Sequence, residues 1–400
     1  MKILMLHNRY LVPGGEDQST AAEVALLRET GCSVDLLEHD NREIEQLSRA
    51  RVAMRTIWSQ QSFKEVFERL RSSDYEVLHV QNFFPLWSPS VYHAAAKAGV
   101  PVVQTLRNYR LMCVNSLFFR DGHPCEDCLG RTVPWPGVLH ACYRHSRAGS
   151  AVVAGMITAH RLLRTWQTKV NAYIALTAFA REKFIAGGLP PEKIMIKPNF
   201  VHPAPAIGHG GGGYALFVGR LSGEKGIGTL LDAWTLSHCV LPLKIIGDGP
   251  DSARVAAAAT NSSNIDYVGR KSPEEVIELM RGAEFLVFPS ECYENMPRTI
   301  IEAFAVGTPV LASKIGAGLS MVEPDKTGFH FQAGDAGDLR RVSEWCSRNL
   351  DAVRALRPRA RSEYELKYSG PANAQALLEI YRHAGKQAGR SSAVMERSQA

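Results

Sequence analysis

Phe285-Leu286-Val287-Phe288, followed by Pro289-Ser290-Glu291-Cys292-Tyr293-Glu294-Asn295-Met296-Pro297-Arg298-Thr299-Ile300-Ile301-Glu302-Ala303-Phe304, reads as a strand, a loop and a helix. The apolar run has the length of a buried strand. Proline suits the opening turn of a helix, so the helix is expected to begin near Pro297. Glu294 closes the loop, and Glu302 lies inside the helix eight positions later. That separation is a little over two helical turns, which places both carboxylates toward one crevice. The helix N-terminus between them offers backbone N–H groups to an anion. Glu302 is flanked by Ile300, Ile301, Ala303, Phe304 and Ala305. An unpaired carboxylate is costly to bury, so this one is read as functional rather than as a solvated helix-face residue. Together the stretch supplies acceptors for sugar hydroxyls and donors for phosphate.

A second site lies upstream. Ala215-Leu216-Phe217-Val218 reads as a buried strand ending in Gly219-Arg220, and Ser222-Gly223-Glu224-Lys225-Gly226 leads into a helix with Leu230, Leu231 and Trp234. Arg220 and Lys225, bracketed by glycines at a strand-to-helix turn, suit a diphosphate: one offers a fork, the other a point charge. The Walker spacing is absent. The rival reading is two surface cations on a tight turn.

Taken in order, these motifs resemble the retaining family-4 glycosyltransferases of the GT-B fold. The resemblance rests on Gly219-Arg220 with Lys225-Gly226, Ile246-Gly247-Asp248-Gly249-Pro250, Tyr267-Val268-Gly269, Pro289-Ser290, Glu294 to Glu302, Gly307-x-Pro309-Val310 and Thr327-Gly328. It covers the C-terminal half, and Gly14-Gly15 after the first strand extends it to the N-terminal half. It implies transfer of a hexose-type sugar from a nucleotide-diphosphate donor with retained configuration and without a protein nucleophile. It casts Arg220 and Lys225 as stabilisers of the leaving diphosphate and Glu302 as acceptor from the ribose hydroxyls. Glu294 would contact the donor sugar, Val268-Gly269 would line the base pocket, and Gly219, Asn295, Met296 and Pro297 would border the donor. No catalytic cofactor is implied, because no Asp-x-Asp motif for a nucleotide-bound metal is evident.

Alternating strands and helices imply parallel sheets covered on both faces. Strands are expected near Ile3–His7, Val34–Glu38, Val77–Gln81, Val102–Leu106, Tyr173–Leu176 and Ile194–Lys197, then near Ala215–Val218, Leu243–Ile246, Ile265–Val268, Phe285–Phe288, Pro309–Ala312 and Gly328–Phe331. The expected architecture is α/β, with two Rossmann-like doubly wound domains facing a cleft. Residues 1–200 form an acceptor-side domain with a cysteine-rich insertion at about 108–147. The Pro/Gly-rich stretch 201–213 is the linker. Residues 214–370 form the nucleotide-sugar domain, 371–385 a helix packing back on the first domain, and 386–400 a tail. Ligand is expected outside the carboxyl ends of the strands, where Gly14 and Gly15 let backbone approach a phosphate or sugar.

At 400 residues the chain exceeds one core, and 45% apolar with 22% charged residues is ordinary for a soluble protein. No apolar run reaches 18 residues, and the N-terminus reads as a first strand rather than a secretory signal, so the cytoplasm is the expected compartment. Cys128 to Arg181 contains no Asp or Glu but carries Arg131, Arg144, Arg147, Arg161, Arg164, Lys169 and Arg181 around the apolar stretch Ala151–Ile157. Such a segment suits an anionic membrane surface and a polyprenyl-linked or glycan acceptor; a domain helix with a solvated basic face is the rival. The net charge of +6 fits an anionic partner, but nothing resembles a nucleic-acid module.

Cys113, Cys125, Cys128 and Cys142 supply the four soft ligands of a structural zinc site, with reduced buried thiols as the rival reading. Cys32, Cys239, Cys292 and Cys346 read as isolated core or loop residues. One departure from the family concerns Gln104-Thr105-Leu106-Arg107, where many relatives place a histidine near the sugar and this chain has Arg107. Arginine can hold a phosphate but cannot accept a proton at neutral pH. His79 follows another strand and is read mainly as a packed residue. Two alternatives stand beside transfer: a catalytically weak nucleotide-sugar-binding protein and a GT-B nucleotide-sugar epimerase.

Overall fold

A computed structural model describes residues 1–11, 14–235 and 241–389. Cys239 and the expected tail beyond residue 389 lie outside the described residues. The chain divides into two compact units. The first comprises Met1–Phe118, Glu126–Pro198 and the chain from Asn373 onward; the second comprises Phe119–Cys125 and Asn199–Ala372.

The first unit is built on six parallel strands: β1 (Lys2–Arg9), β2 (Ser33–Asp40), β3 (Val77–Val80), β4 (Val102–Thr105), β7 (Ala172–Ala175) and β8 (Ile194–Ile196). Their order is β2-β1-β3-β4-β7-β8. Between β4 and β7 in sequence lies a small antiparallel hairpin, β5 (Phe119–Arg120) with β6 (His123–Pro124), which groups with the second unit. Sequence reading missed this hairpin. Ile3 to Leu6 and Ala172 to Ala175 are fully buried because helices cover both faces of the sheet. Each such Leu or Ile contributes about 1.5–3 kcal/mol relative to an exposed one.

The second unit has β9 (Ala215–Val218), β10 (Leu243–Ile246), β11 (Ile265–Gly269), β12 (Phe285–Phe288), β13 (Val310–Ser313) and β14 (Gly328–Phe331). Their order is β11-β10-β9-β12-β13-β14, all parallel. Each unit is therefore doubly wound. The strand order reverses between β1 and β3 in the first unit and between β9 and β12 in the second. At such a switch point the neighbouring loops diverge, leaving a crevice at the strand tips. All twelve expected sheet strands are present.

The Pro/Gly-rich stretch 201–213 is tied along the second unit. Gly208, Gly210 and Gly212 donate their N–H groups to the carbonyls of Val306, Arg281 and Gly282. The buried Glu284 carboxylate accepts from Gly211 and Gly213 and pairs with Arg354 at 2.8 Å. The last described helix runs Gly370–Gln387, two residues beyond the expected end. From Asn373 onward it belongs to the first unit, where Tyr381 and Asn373 bond to His79 and Lys197.

The apolar stretch Ala151–Ile157 is largely turned inward, with Ala151 exposed. It lies in the helix Arg147–Leu162, whose Val153, Ala154, Met156 and Ile157 are buried. The helix turns that stripe inward, because four apolar residues at three- and four-residue spacing form one core-facing face. Exposed apolar residues flank it instead, at Val133, Trp135, Leu139, Leu162 and Leu163. Among the described residues no helix is long and apolar enough to cross a membrane.

Candidate functional site

At the β9/β12 switch point the second unit brings Lys225 and Glu294 together. After β9, Gly223–Lys225 makes one turn of 3-10 helix and Gly226 reverses the chain at φ +72°. A Cβ at Gly226 would run into the Pro289 carbonyl, so only glycine lets this loop close against the one following β12. The two loops are joined further: the Glu224 carbonyl accepts from Glu291 N at 2.9 Å and from Ser290 Oγ at 3.2 Å. The result is an ion pair between the Lys225 ammonium and Glu294 Oε1, which also accepts from Ser290 Oγ at 3.0 Å. Burial works against the Lys225 charge, but Glu294, Cys292 and Glu224 outweigh it and hold the amine above its ordinary value. The Cys292 thiol is buried beneath this pair, and burial with Glu294 pushes it up to about 12. It is an inert packing residue rather than a nucleophile.

Pro297 precedes the helix Arg298–Ala305 without a side-chain cap, so the first-turn N–H groups have no capping side chain. Asn295, Met296 and Pro297 are buried, and Met296 Sδ receives the Asn199 N–H at 3.0 Å. Glu302 pairs with Arg298 one turn earlier, at 2.8 Å. Burial raises its carboxyl above the usual range, and Arg298 only partly opposes that. Glu294 and Glu302 thus each have their own cation. Sequence reading missed Arg298, although its four-residue spacing from Glu302 was visible.

Arg220 is exposed and has no ion-pair partner among the described residues. Gly219 packs tightly, with a notional Cβ at 3.3 Å from the Phe217 ring. Val268 is half-buried at the end of β11, and Gly269 adopts φ +74° beside a register shift in the β10/β11 ladder.

In the first unit, Gly14 and Gly15 open the helix Gly15–Glu29 after β1, and a Cβ at either would meet no described atom within 4 Å. Asp17 organises the turn, accepting from Gly14 N at 2.9 Å and bonding His7 Nε2 at 2.8 Å. Burial disfavours its charge, but the bonds from His7 and Gly14 bring its carboxyl below the usual range.

Arg107, just after β4, is buried rather than displayed. Its guanidinium donates to Gln81 Oε1 at 3.0 and 2.7 Å and lies 3.7 Å from Glu23. Glu23 comes from the middle of the helix Gly15–Glu29 and is also paired to Lys197 at 2.8 Å. Gln81 donates to Glu23 at 2.5 Å, joining the two groups. Against the cost of burial, Lys197, His79 and Arg107 draw the Glu23 carboxyl down to about 2. Burial drives the His79 imidazole to about 4, with Lys197 and Arg107 adding to the effect. His79 is a packed residue bonded to Tyr381 and Thr105, each at 2.7 Å. Sequence reading did not find Glu23 or Lys197.

The four insertion cysteines are not brought together as a metal site. None of the four is in a disulfide, and among the described residues no three His, Cys, Asp or Glu side chains are grouped to hold a metal. Cys113 Sγ donates to Asn115 Oδ1 at 2.9 Å and Cys128 Sγ approaches the Pro134 carbonyl at 3.8 Å. These two thiols are thus turned to neutral oxygens in their own loops rather than to a common centre.

Residues 14–199 match the family described as "Glycosyl transferase 4-like domain", and residues 207–363 match "Glycosyl transferases group 1". The D-rhamnosyltransferase WbpZ of Pseudomonas aeruginosa is 31% identical over 136 residues, which is 33% of this chain and 35% of that protein. The phosphatidyl-myo-inositol mannosyltransferase of Mycobacterium leprae is 28% identical over 235 residues, 55% of this chain and 61% of that protein. The chain thus spans less than two thirds of the length of these curated relatives. A crystal structure of Anabaena HepE in complex with UDP-glucose superposes with a TM-score of 0.64 at 17% identity, covering 96% of this chain and 100% of that one. The two family matches follow one another in the expected order over two doubly wound units, and the chain belongs to the group 1, family-4 glycosyltransferases with the GT-B fold.

Proposed function

We propose that the chain transfers a sugar, with retention, from a nucleotide-diphosphate donor to a glycan or lipid-linked acceptor in surface polysaccharide or glycoconjugate biosynthesis. The observation that carries this reading is the Lys225–Glu294 pair at the β9/β12 switch point. As the glycosidic bond breaks, negative charge develops on the departing diphosphate. Lys225, Arg220 and the uncapped N–H groups at the start of Arg298–Ala305 are preorganised donors for it. Glu294 accepts from the donor sugar and Glu302 from the ribose. Gly219, Val268, Gly269, Asn295, Met296 and Pro297 border the nucleotide, while Gly14 and Gly15 let backbone approach the donor's phosphate or sugar. The leaving diphosphate takes the bond's electron pair and the acceptor hydroxyl's proton, and the acceptor oxygen bonds the anomeric carbon on the same face. The relatives named above are a rhamnosyltransferase and a mannosyltransferase, which supports sugar transfer. The test is a panel of UDP, GDP and ADP sugars, read by thermal shift and by transfer or hydrolysis. One donor is expected to bind and turn over. Binding without turnover favours the weak-catalysis alternative, and release of an altered sugar favours epimerisation.

The acceptor and surface reading extends to the first unit. Arg131 lies 5.5 Å over the half-exposed Trp135 ring, and Arg161 donates to the Arg131 carbonyl. Leu162 and Leu163 are 70% and 56% exposed. Apolar side chains beside arginines in an acid-free segment suit the headgroup region of an anionic bilayer. The protein is expected to float with anionic liposomes at low salt and to be released at high salt, as charge screening requires. Equal flotation with zwitterionic liposomes would count against it.

A further inference from the structure

Glu294 uses its two carboxylate oxygens unequally. Oε1 accepts from the Lys225 ammonium and from Ser290 Oγ at 3.0 Å. Oε2 takes no bond among the described residues. What turns the carboxylate this way can be followed through Ser290, which is 1% exposed. Its backbone is fixed, the carbonyl accepting from Ser313 Oγ at 2.6 Å. Its hydroxyl carries one proton and has two oxygens within reach, Glu294 Oε1 at 3.0 Å and the Glu224 carbonyl at 3.2 Å. The carbonyl is already served by Glu291 N at 2.9 Å, whereas the carboxylate is charged, and a charged acceptor makes the stronger bond. The proton therefore lies mainly toward Glu294, with the carbonyl as the lesser partner. With its proton committed, Ser290 Oγ accepts from its third neighbour, Cys292 Sγ at 3.6 Å. Burial keeps the Cys292 thiol protonated, so S–H is the donor there. The side chains form a one-way chain, Cys292 to Ser290 to Glu294, aimed at the oxygen that Lys225 also holds.

We propose that Ser290 is the positioning residue for Glu294: its hydroxyl, together with Lys225, fills Oε1, so that Oε2 is the oxygen turned to the hydroxyls of the donor sugar. The inference rests on the transferase reading above and deepens it. A carboxylate oxygen has two lone-pair sites, and two donors occupy those of Oε1. Oε2 keeps both of its own for the ligand. Without the serine hydroxyl the carboxylate keeps its charge and its lysine, but it is free to turn about its terminal torsion, which is broad. Ser290 touches no substrate in this arrangement and acts only through Glu294.

The test is Ser290→Ala in the full chain, measured with the nucleotide sugar found in the panel and with the matching nucleoside diphosphate, which lacks the sugar. kcat/KM for the sugar donor is expected to fall about tenfold to a hundredfold, the worth of a hydrogen bond to a charged group, while affinity for the nucleoside diphosphate stays within about twofold. In a Glu294→Gln background the same substitution is expected to cost less than about threefold, because its target is gone. Infrared difference spectra read the chain itself. The Cys292 S–H stretch, assigned with Cys292→Ala, is expected to move up in frequency in Ser290→Ala, where the thiol loses its acceptor. Circular dichroism confirms that each variant is folded. An equal loss for sugar donor and nucleoside diphosphate overturns the proposal, because Ser290 then braces the loop as a whole. An unchanged kcat/KM, an undiminished loss in the Glu294→Gln background or an S–H stretch that stays in place also overturns it. A wild-type protein that binds no nucleotide sugar overturns the transferase reading and the sugar's part in this one, whereas a shifted S–H stretch still establishes the oriented carboxylate.

Discussion

Lys225→Ala is expected to lower kcat/KM for the donor by about a hundredfold to a thousandfold, the usual cost of removing one preorganised donor to developing negative charge. The mechanism has two parts. The ammonium that meets the departing diphosphate is lost. Its partner Glu294, 15% exposed, is left with Ser290 as its remaining named donor. Lys225→Arg keeps the charge but changes its shape and reach, and it should fall between the two. The losses in Lys225→Ala and Glu294→Gln should not add in the double variant, because each residue partners the other. Single-turnover kinetics with the donor found in the panel check this. A Lys225→Ala enzyme within about threefold of wild type would remove the diphosphate role, since such a donor is normally worth far more.

Glu23→Gln is the second large effect, and it falls on stability rather than turnover. The substitution keeps the shape but leaves Lys197 and Arg107 buried without their anion. Breaking a buried ion pair from one side costs about 3–5 kcal/mol. Urea unfolding at pH 7 should show a lower midpoint with an unchanged slope. Glu23→Gln combined with Lys197→Met should recover part of the loss, since buried charge pairs are often replaceable by apolar groups. The pH dependence has a definite sign. Glu23 falls from an ordinary 4.5 to about 2 in the folded state, so its contribution is complete above 4.5 and is lost as pH falls toward 2. His79 falls from 6.5 to about 4, so folding favours its neutral form, and that contribution is lost as pH drops from 6.5 toward 4. Acidification from pH 6.5 downward should therefore weaken the first unit, and the gap between wild type and Glu23→Gln should narrow below pH 4.5. An equal gap at pH 7 and pH 3 would show that the Glu23 charge is not what stabilises this unit.

The strands were legible because each is a short apolar run bounded by turn residues, and burial on both faces removes the ambiguity of alternation. The pairings at the strand tips were less legible. Glu302 was singled out by its apolar neighbours, and the same reasoning applies to Glu23 in Ala21-Ala22-Glu23-Val24-Ala25-Leu26. That second carboxylate was passed over because its cations, Lys197 and Arg107, are remote in sequence and meet it only through the fold. Arg107 was read as a residue displayed to ligand, but Gln81 draws its guanidinium inward, and no local pattern announces such a bond. The cysteine spacing suggested zinc because ligand counts can be read from sequence while thiol directions cannot. Cys113 and Cys128 instead bond within their own turns.

The return of the final helix to the first unit has a consequence for biosynthesis. Asn373 and Tyr381 complete the bonding of Lys197 and His79, yet they leave the ribosome after the whole of the second unit. Until then the first unit lacks two neutral hydrogen-bond partners, one for the buried Lys197 ammonium and one for the His79 imidazole, although Glu23 already matches the charge. Order of synthesis and order of completion are reversed in this polypeptide, and a chain halted before Asn373 would strand its earliest-made half unfinished.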